Sequence, residues 1–261
     1  MTPPLRPHES MAIKDYDALA GLTIMVTGAA RSLGAAFSDY FEDRGAAVWR
    51  TDIDASEGVH RLDVTSRLEW ETSVKEALAE HGRIDGLVNN AGVFYGQRDF
   101  WDEADEELDH MINVNLKGTW VGTQIVSKRM AEGGHPGSIV NLSSTSGVMA
   151  TKGYAGYGTT RWAVRGFTKL AAGDLAAHQI RVNSLHPHGV KGTGMILASA
   201  AAAGMTEEQV ERLGTDSPMG RMGTTDDMGA IATFLLSSAA SFITGREFVV
   251  DGGVTLSSNS S

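Results

Sequence analysis

The sequence predicts an α/β fold in which a doubly wound parallel sheet carries helices on both faces. Short apolar runs that are typical of buried strands alternate with segments of helical periodicity along the whole chain. Glycine, at 31 of 261 residues, is concentrated at the joins between these segments, where the backbone must turn sharply or approach a ligand. Neither an internal repeat nor a linker divides the chain, so we expect a single domain over residues 21–261, preceded by a flexible arm over residues 1–20.

The first half of the chain alternates predicted strands and helices. LTIMVTG is a buried strand closed by glycine, apolar residues then recur at helical spacing from Leu33 to Arg44, and AAVWRTD is the second strand. Ten residues separate Asp52 from Asp63, which ends the third strand; this is short for a crossover helix, so we expect at most a helical turn there. A helix capped by Thr65 or Ser66 and the strand IDGLVNNAG follow.

The second half continues the alternation. We expect a long helix from about Glu106 to Ala131, the strand GSIVNLSS, a helix from Tyr157 to Ala177, and the strands IRVNSLHP and EFVVDGG. Between the last two strands, residues 194–217 are rich in alanine and are predicted to form helices beside a substrate site.

Composition limits the classes of function. The chain carries 22 Lys and Arg against 32 Asp and Glu, a net charge of −10, so it repels phosphate backbones and we expect no nucleic-acid partner. The absence of cysteine excludes disulfides, thiolate metal sites and a cysteine nucleophile. No apolar run approaches the roughly 18 residues of a membrane span, and the first residues lack the apolar core of a secretory signal. We therefore expect no membrane partner and a cytoplasmic location.

A glycine-rich loop, TGAARSLG, joins the first predicted strand to the first helix. Gly28 and Gly34 allow backbone N–H groups and the helix N-terminus to approach a pyrophosphate. Asp52 ends the second strand about twenty residues further on, where a carboxylate accepts hydrogen bonds from an adenosine ribose and repels a 2′-phosphate. This favours NAD over NADP, although Arg31 and Arg50 would reach a phosphate if the carboxylate turned aside.

These motifs resemble those of the short-chain dehydrogenase/reductase family, and the resemblance extends from about Leu22 to Gly253. TGAARSLG is similar to the family loop TGxxxGxG, with Ser32 in place of the middle glycine, so we expect a slightly looser or shifted turn. NNAG, at residues 89–92, is similar to the family signature, and Asp63-Val64 resembles the pair that contacts the adenine. The family implies a Rossmann-type fold. Segments such as DGLVNNAG, GSIVNLSS and ITGREFVVDGG look most like bacterial NAD-dependent hydroxysteroid and cyclic-alcohol dehydrogenases.

Carried over residue by residue, the resemblance implies an NAD-binding site. Its predicted members are Gly28, Arg31, Ser32, Leu33, Gly34, Asp52, Ile53, Asp63, Val64, Asn90, Ala91, Gly92, Tyr157, Arg161, Pro187, Val190 and Thr193.

The resemblance also implies hydride transfer between an alcohol and a ketone. This chemistry needs a proton partner, a polarising donor and a nearby positive charge. Tyr157 follows Ser144 by 13 residues, the separation typical of the family, and GTTRWAVRGFTK after it matches the family helix. We therefore assign Tyr157 rather than Tyr154 as the acid/base, and Ser144 rather than Ser143 as the polarising hydroxyl.

The remaining catalytic positions are an asparagine and a cation. Asn115 of NVNLKG, rather than Asn113, corresponds to the family's helix asparagine. Arg161 stands where the family has a lysine that binds the nicotinamide ribose and favours the deprotonated tyrosine. Because a guanidinium is planar and longer, the exchange is not conservative. Either Arg161 replaces the lysine with a modest shift and the enzyme works, or the chain binds cofactor with altered or lost redox chemistry.

A second departure from the family follows the strand IRVNSLHP. Pro187-His188 replaces the usual Pro-Gly, and Thr193 comes one residue later than the threonine that contacts the nicotinamide carboxamide in the family. His186 and His188 have the spacing i, i+2 across a proline without a nearby carboxylate, so we expect no metal site.

The predicted substrate wall carries little fixed charge, which favours a small hydrophobic ketone or secondary alcohol. Its predicted members are Phe94, Tyr95, Met149, Tyr154, His188 and Met195. We therefore expect an NAD-dependent alcohol dehydrogenase or ketone reductase. The alternatives are imine reduction or a non-redox step on the same fold, and a cofactor-binding protein without turnover. The family resemblance further implies a homotetramer.

Overall fold

The structure, a computed structural model, describes residues 19–194, 196–197, 200, 204–206, 209 and 217–256. The strands are β1 (Thr23–Thr27), β2 (Ala47–Asp52), β3 (His60–Arg61), β4 (Gly86–Asn89), β5 (Gly137–Leu142), β6 (Ile180–Pro187) and β7 (Glu247–Val250). They form one seven-stranded sheet in the order β3-β2-β1-β4-β5-β6-β7, and every neighbouring pair is parallel. The predicted α/β fold class is confirmed.

The helices cover both faces of this sheet. They are α1 (Ser32–Glu42), α2 (Arg67–His81), α3 (Asp105–Met111), α4 (Thr119–Glu132), α5 (Ala155–Leu175) and α6 (Thr225–Leu236). Trp70 of α2 lies in the apolar core on one face, and Phe37 and Phe41 of α1 lie in the core on the other. None of the helices in the described ranges is long and apolar enough to cross a membrane.

The strand order places a topological switch point between β1 and β4. The chain moves outward from β1 to β3, then returns to the other side of β1 and continues to β7. In open parallel sheets the crevice at the carboxyl ends of strands beside such a reversal is where ligands bind. A cofactor is therefore expected to bind at the loops that follow β1 and β4.

The third predicted strand is present, and one helix was missed. Between Asp52 and Asp63 no helix forms, as expected, and the short strand β3 ends two residues before Asp63. The His60 ring stacks on Trp49 of β2 at 3.5 Å, which holds this segment at the edge of the sheet. The helix α6 is absent from the prediction, although Thr224 and Asp227 form a reciprocal capping box at its start.

The long helix predicted from Glu106 to Ala131 is divided into three parts. A π-helical segment, Ile112–Gly118, separates α3 from α4. Such segments are frequent at functional sites because they rotate side chains out of the regular helical register. The prediction of a cap at Ser66 is confirmed, since its side chain accepts from the Glu69 N–H. The predicted arm over residues 1–20 and the substrate helices over residues 194–217 lie mostly outside the described residues.

Candidate active site

The loop between β1 and α1 is closed by backbone contacts. Gly28 has a φ of +67°, and a Cβ built on Gly34 would overlap the Gly28 carbonyl oxygen, so glycine is required at both positions. Ser32 also adopts a positive φ, +57°, and its Oγ accepts a hydrogen bond from the Gly194 N–H at 3.0 Å. The Arg31 side chain does not cap α1, so the first turn of α1 offers its N–H groups to an anion such as a pyrophosphate.

The turn after β4 is tied directly to this loop. The Asn90 side-chain amide donates to the carbonyl oxygens of Thr27, at 2.9 Å, and Gly28, at 3.1 Å. The Thr27 hydroxyl oxygen accepts from the backbone N–H groups of Asn90 and Ala91, both at 3.0 Å. Asn90 therefore braces the two loops that flank the switch point. Sequence reasoning missed Thr27, whose signal was a hydroxyl residue at the strand end immediately before the first glycine.

The Asp52 carboxylate is held in a fixed direction at the end of β2. One oxygen accepts from the Ala30 N–H and the other from the Asp54 N–H, each at 3.0 Å, and the residue is buried. Two backbone donors therefore orient a charged acceptor beside the glycine loop. This is the arrangement that recognises ribose hydroxyl groups.

Both arginines that could bind a 2′-phosphate are already paired with carboxylates. Arg50 contacts Asp39 and Glu42, each at 2.7 Å, and Arg31 contacts Asp54 at 2.7 Å. The hydrogen bond from Asp54 raises the pKa of Arg31. Burial opposes the charge of Arg50, but its hydrogen bonds to Glu42 and Asp39 outweigh this and raise its pKa.

The predicted adenine contacts Asp63 and Val64, and the further predicted cofactor residues Leu33 and Ile53, lie in three segments. The Asp63 carboxylate accepts from the N–H and the hydroxyl of Thr65, at 2.9 and 2.7 Å. Val64 is buried, and it packs so closely on Gly118 that a Cβ on that glycine would overlap it. Leu33 is half-buried in the first turn of α1, whereas Ile53 is half exposed beyond β2 and is free to cover a flat ligand.

Asn115 lies in the π-helical segment and is fully buried. Its side-chain oxygen accepts from the Val93 N–H at 2.8 Å, and its amide donates to the Val93 carbonyl at 3.0 Å and to the Thr160 hydroxyl at 3.1 Å. These bonds join the loop after β4 to the second turn of α5. Asn115 thus positions the helix that carries Tyr157.

The two serines after β5 have different hydrogen-bonding roles. The Ser143 hydroxyl donates to the Arg161 carbonyl at 3.0 Å, so its proton is committed. The Ser144 hydroxyl oxygen accepts from the Ser146 N–H at 3.1 Å, which leaves its own proton free to donate to a ligand. The geometry therefore makes Ser144 the better polarising donor.

Tyr157 lies in the first turns of α5 and is only 5% exposed. The Phe94 ring lies 5.0 Å from it and stacks on Tyr154 at 4.9 Å, so the loop after β4 covers both tyrosines. Burial, with a smaller contribution from Tyr157, raises the pKa of Tyr154. This opposes proton release by Tyr154.

Arg161 lies one helical turn beyond Tyr157 and is 3% exposed. Its Nη1 donates to the Leu142 carbonyl at 3.0 Å, its Cζ lies 4.9 Å from the Tyr157 ring centre, and a Cβ on Gly92 would overlap Nη2. Its buried Nε has no hydrogen-bond partner among the described residues. The cation is therefore inside the site, anchored to β5 and packed under the Gly92 turn.

Glu103 is a site residue that sequence reasoning missed. Its two carboxylate oxygens accept from the Gly156 N–H at 3.1 and 2.9 Å. It thereby caps the start of α5 one residue before Tyr157, where a negative charge stabilises the helix N-terminus. The two residues are 53 positions apart, so no local pattern could have indicated the contact.

The segment after β6 contains the remaining predicted cofactor positions. Pro187 ends β6 beside Val250, and Val190 is buried and pairs with Gly223. The Thr193 hydroxyl donates to the Val190 carbonyl at 2.9 Å, which commits it to the loop itself. His188 is half-buried with Nδ1 3.1 Å from the Thr145 hydroxyl, and burial lowers its pKa.

The predicted substrate residues are only partly gathered at one place. Phe94 and Tyr154 lie beside Tyr157, whereas Met149 is half-buried in the segment after Gly147 and the Tyr95 hydroxyl turns toward His110. Met195 lies outside the described residues. No cluster of three or more His, Cys, Asp or Glu side chains suited to a metal ion occurs in the part of the chain that the structure describes.

Comparisons with known proteins agree with this geometry. Residues 28–255 match a family described as enoyl-(acyl carrier protein) reductase. The chain is 35% identical over 247 residues to a cyclopentanol dehydrogenase of Comamonas testosteroni, with 89% of this chain and 96% of that protein covered. It is 36% identical over 248 residues to a 3-alpha-(or 20-beta)-hydroxysteroid dehydrogenase of Mycobacterium tuberculosis, with 90% of each covered.

A solved structure is similar over nearly the whole fold. The ligand-free aldohexose dehydrogenase of Thermoplasma acidophilum superposes with a TM-score of 0.86 at 30% identity, covering 93% of this chain and 97% of that one. The chain belongs to the short-chain dehydrogenase/reductase family of oxidoreductases, whose members bind a nicotinamide cofactor.

Proposed function

We propose that the protein is an NAD(H)-dependent oxidoreductase that interconverts a hydrophobic secondary alcohol, cyclic or steroid-like, and its ketone. The observation that carries the proposal is the placement of a buried tyrosine, a serine hydroxyl with a free proton and a buried cation at the end of β5. The Arg161 guanidinium lies 4.9 Å from the Tyr157 ring and bonds to Leu142, two residues before Ser144. This group supplies the proton partner, the polarising donor and the positive charge that the reaction requires.

The described residues fit a dinucleotide. The first turn of α1 would hold the pyrophosphate, Asp52 the adenosine ribose, and Asp63 and Val64 the adenine side of the site. When bound, the nicotinamide supplies or accepts the hydride. The buried Nε of Arg161, for which the described part of the chain offers no acceptor, is a donor suited to a ligand oxygen in this region.

The protein's own residues would handle the proton and the substrate oxygen. The Ser144 hydroxyl donates to the carbonyl or carbinol oxygen, and the Tyr157 hydroxyl gives or takes the alcohol proton. Arg161 keeps a positive charge beside the tyrosine ring, where it would stabilise negative charge that develops on the hydroxyl oxygen in the transition state. Asn115 fixes the loop and helix between which the substrate must lie.

The preference for NAD rests on electrostatics. A 2′-phosphate would approach the carboxylate of Asp52, while Arg31 and Arg50 are neutralised by acidic neighbours. These contacts support NAD over NADP as the cofactor.

The substrate proposal rests on the apolar character of the wall and on the relatives. Phe94, Tyr154 and Met149 offer ring and thioether surfaces without fixed charge, which suits a cyclic hydrocarbon skeleton. Relatives named for cyclopentanol and for hydroxysteroids support the same class.

A second candidate is a cofactor-binding protein with altered or lost redox activity. It is favoured by the contacts of Arg161, because a guanidinium bonded to the Leu142 carbonyl and packed under Gly92 is committed to the protein more than a lysine ammonium would be. In this case the chain would bind NAD without turning over alcohols or ketones, or would act on an imine or by a non-redox step.

We further propose a homotetramer. Trp120 of α4 and Trp162 and Leu170 of α5 are exposed, with Phe167 stacked on Trp120 at 4.8 Å, so the two longest neighbouring helices carry apolar side chains outward. Apolar patches of this kind are typical of subunit interfaces. No nucleic-acid or membrane partner is proposed, and a cytoplasmic location stays a prediction of the sequence.

The proposal is tested by cofactor titration followed by turnover. Calorimetric binding of NAD and NADP would be measured first, then oxidation and reduction of a panel of apolar cyclic alcohols and ketones with each cofactor. We expect tighter binding of NAD and turnover of at least one cyclic pair. Binding of NAD with no turnover on any member of the panel would support the second candidate instead.

A further inference from the structure

His186 occupies a position that the proposed chemistry does not use. It lies in β6, is fully buried, and shares one face of the strand with Ser184 because successive side chains alternate. Burial lowers its pKa, so the ring is neutral near neutral pH. A buried neutral imidazole needs a partner for each nitrogen, one as a donor and one as an acceptor.

Both ring nitrogens have such partners. Nδ1 lies 3.0 Å from the carbonyl oxygen of Ser144, and Nε2 lies 2.8 Å from the hydroxyl of Ser184. A carbonyl oxygen only accepts, so the proton must be on Nδ1, and the Ser184 hydroxyl must donate to the bare Nε2. The two contacts together permit a single tautomer.

The bond to Ser144 falls where the sheet no longer holds the chain. The last β5 residue paired with β6 is Leu142, which lies opposite Leu185, and the Ser143 N–H makes the last ladder-like bond, to Leu185. Ser144 then turns into a single helical turn, Thr145–Gly147. Its carbonyl oxygen is therefore held by the imidazole and by the Gly147 N–H of this turn, at 2.9 Å, rather than by the sheet.

We propose that His186 is a positioning residue for Ser144: its Nδ1–H fixes the Ser144 carbonyl and so directs the Ser144 hydroxyl toward the substrate oxygen, while Ser184 fixes the tautomer. The inference rests on the proposed function for its kinetic consequence. The tautomer itself can be measured without turnover.

Two substitutions separate the two nitrogens. His186→Asn places an amide nitrogen near the position of Nδ1 and keeps a donor to the Ser144 carbonyl, whereas His186→Gln reaches the position of Nε2 and keeps only the contact with Ser184. With the best cyclic alcohol of the panel, we expect His186→Gln to lower kcat about tenfold to hundredfold with little change in KM, and His186→Asn to remain within about threefold of the wild type.

A double-mutant cycle distinguishes positioning from general damage. In the Ser144→Ala background, His186→Gln should lower kcat no further, because the hydroxyl that it directs is gone. Equal losses in both backgrounds, or equal losses for the Asn and Gln variants, would overturn the proposal, and thermal unfolding of each variant identifies a folding defect. Ser184→Ala should have an intermediate effect on kcat.

The tautomer is read by nitrogen-15 NMR of histidine-labelled protein, with the His186 signals assigned from their loss in His186→Asn. We expect a protonated Nδ1 and a bare Nε2. An Nε2–H tautomer would contradict the inference whether or not the protein turns over any alcohol. A correct tautomer without turnover of the wild type would contradict the proposed function and remove the catalytic role assigned to His186.

Discussion

The two halves of the site are built in different ways. Around β1, α1 and β2 the cofactor region is made by backbone groups: glycine contacts, the N–H groups of a helix start, and a carboxylate oriented by two amides. Around β5, α5 and β6 the catalytic region is made by side chains that reach across elements, such as Asn115 and Arg161. Ser32 departs from the family pattern in the first half, and Arg161 and Pro187-His188 depart from it in the second.

The departures at Ser32 and at Arg161 have different consequences. Ser32 keeps the left-handed backbone that glycine would adopt and uses its hydroxyl to bind Gly194, so the loop absorbs the change locally. Arg161 instead acquires a bond to Leu142 and a close contact with Gly92, so its neighbours must suit the longer side chain. Where backbone groups form the site, as at Ser32, exchanging a side chain leaves the neighbouring residues unchanged. Where side chains form the site, as at Arg161, the exchange requires neighbouring residues that fit the new side chain.

The largest expected effect comes from the catalytic half. Tyr157→Phe removes the proton partner, and turnover of the best alcohol should fall by about 10²- to 10⁴-fold while the protein still binds NAD. Tyr154→Phe is the matched control, because this ring stacks on the same Phe94 but is not assigned to proton transfer. Steady-state kinetics decide the result, and equal losses for the two variants would contradict the assignment.

In the cofactor region, a substitution that displaces the backbone should abolish NAD binding. Gly34→Ala forces a Cβ against the Gly28 carbonyl, so we expect destabilisation of about 3 kcal/mol or more and loss of measurable NAD binding. Gly173→Ala is the control, since this exposed glycine of α5 has open space around its Cβ position and should gain about 0.5–1 kcal/mol. Calorimetry and chemical unfolding would measure both changes, and NAD binding by a stable Gly34→Ala protein would contradict the backbone account.

Substitution of Asp52 tests whether the negative charge of its carboxylate contributes to binding of the adenosine ribose. Asp52→Asn should weaken NAD binding by about tenfold and narrow the preference over NADP, because a hydrogen bond to a charged acceptor is worth about 1.5–3 kcal/mol. Asp54→Asn leaves this carboxylate in place and releases Arg31, so it should improve NADP binding by a smaller factor. Dissociation constants for both cofactors measure these changes. If both variants keep the wild-type preference for NAD over NADP, the charge of Asp52 does not determine that preference.

Gly92 tests whether Arg161 depends on its neighbour. Gly92→Ala should lower turnover several-fold, because its methyl group displaces Nη2 from its place under the turn. In the Arg161→Lys background the same substitution should have less effect, since lysine lacks the terminal fork. Kinetics of the four proteins in this cycle provide the measurement, and equal effects in both backgrounds would show that the arginine is not constrained there.

The smallest expected effect is electrostatic and lies at α6, which packs on α1. The Arg221 hydrogen bonds hold the pKa of Asp227 well below its usual value, with further help from the Thr224 N–H and hydroxyl. A carboxyl with a lowered pKa stabilises the fold above its ordinary pKa of about 4, and this contribution is lost as the pH falls through the folded-state pKa. Because the pair is largely solvated, Asp227→Asn should cost only about 1 kcal/mol at pH 7.

The control for this prediction is Asp226→Asn, which removes the neighbouring, exposed charge in the same first turn. Urea unfolding at pH 7 and at pH 3 measures both variants. The difference between Asp227→Asn and the wild type should shrink in acid, and a difference that stays constant with pH would contradict the assignment.

The sequence predicted the fold because its strands are continuous apolar runs closed by glycine, and such runs need no tertiary information to be recognised. The third strand was predicted, but its end was placed two residues too late at Asp63, because two residues carry too little pattern to set their bounds and the stacking of His60 on Trp49 decides their conformation. The helix α6 was missed although Thr224 and Asp227 provide a capping signal at the correct spacing.

For the site, the sequence was sufficient to assign which residues belong to it, but not the hydrogen-bond partners of their side chains. That Arg161 follows Tyr157 by one turn is visible in the sequence, whereas its bond to the Leu142 carbonyl depends on how α5 packs against β5. The contact of Glu103 with Gly156 and that of His186 with Ser144 join residues far apart in the chain. Such contacts depend on the assembled sheet and have no local sequence signature.

The most direct test of the central claim compares the wild type with Arg161→Lys and Arg161→Met for NAD binding and for turnover of a cyclic secondary alcohol. If Arg161 supplies the catalytic cation, the wild type turns over, the lysine variant stays active, and the methionine variant binds NAD but loses about a hundredfold or more in kcat. A wild type that binds NAD and is silent until lysine is introduced at position 161 would contradict the claim.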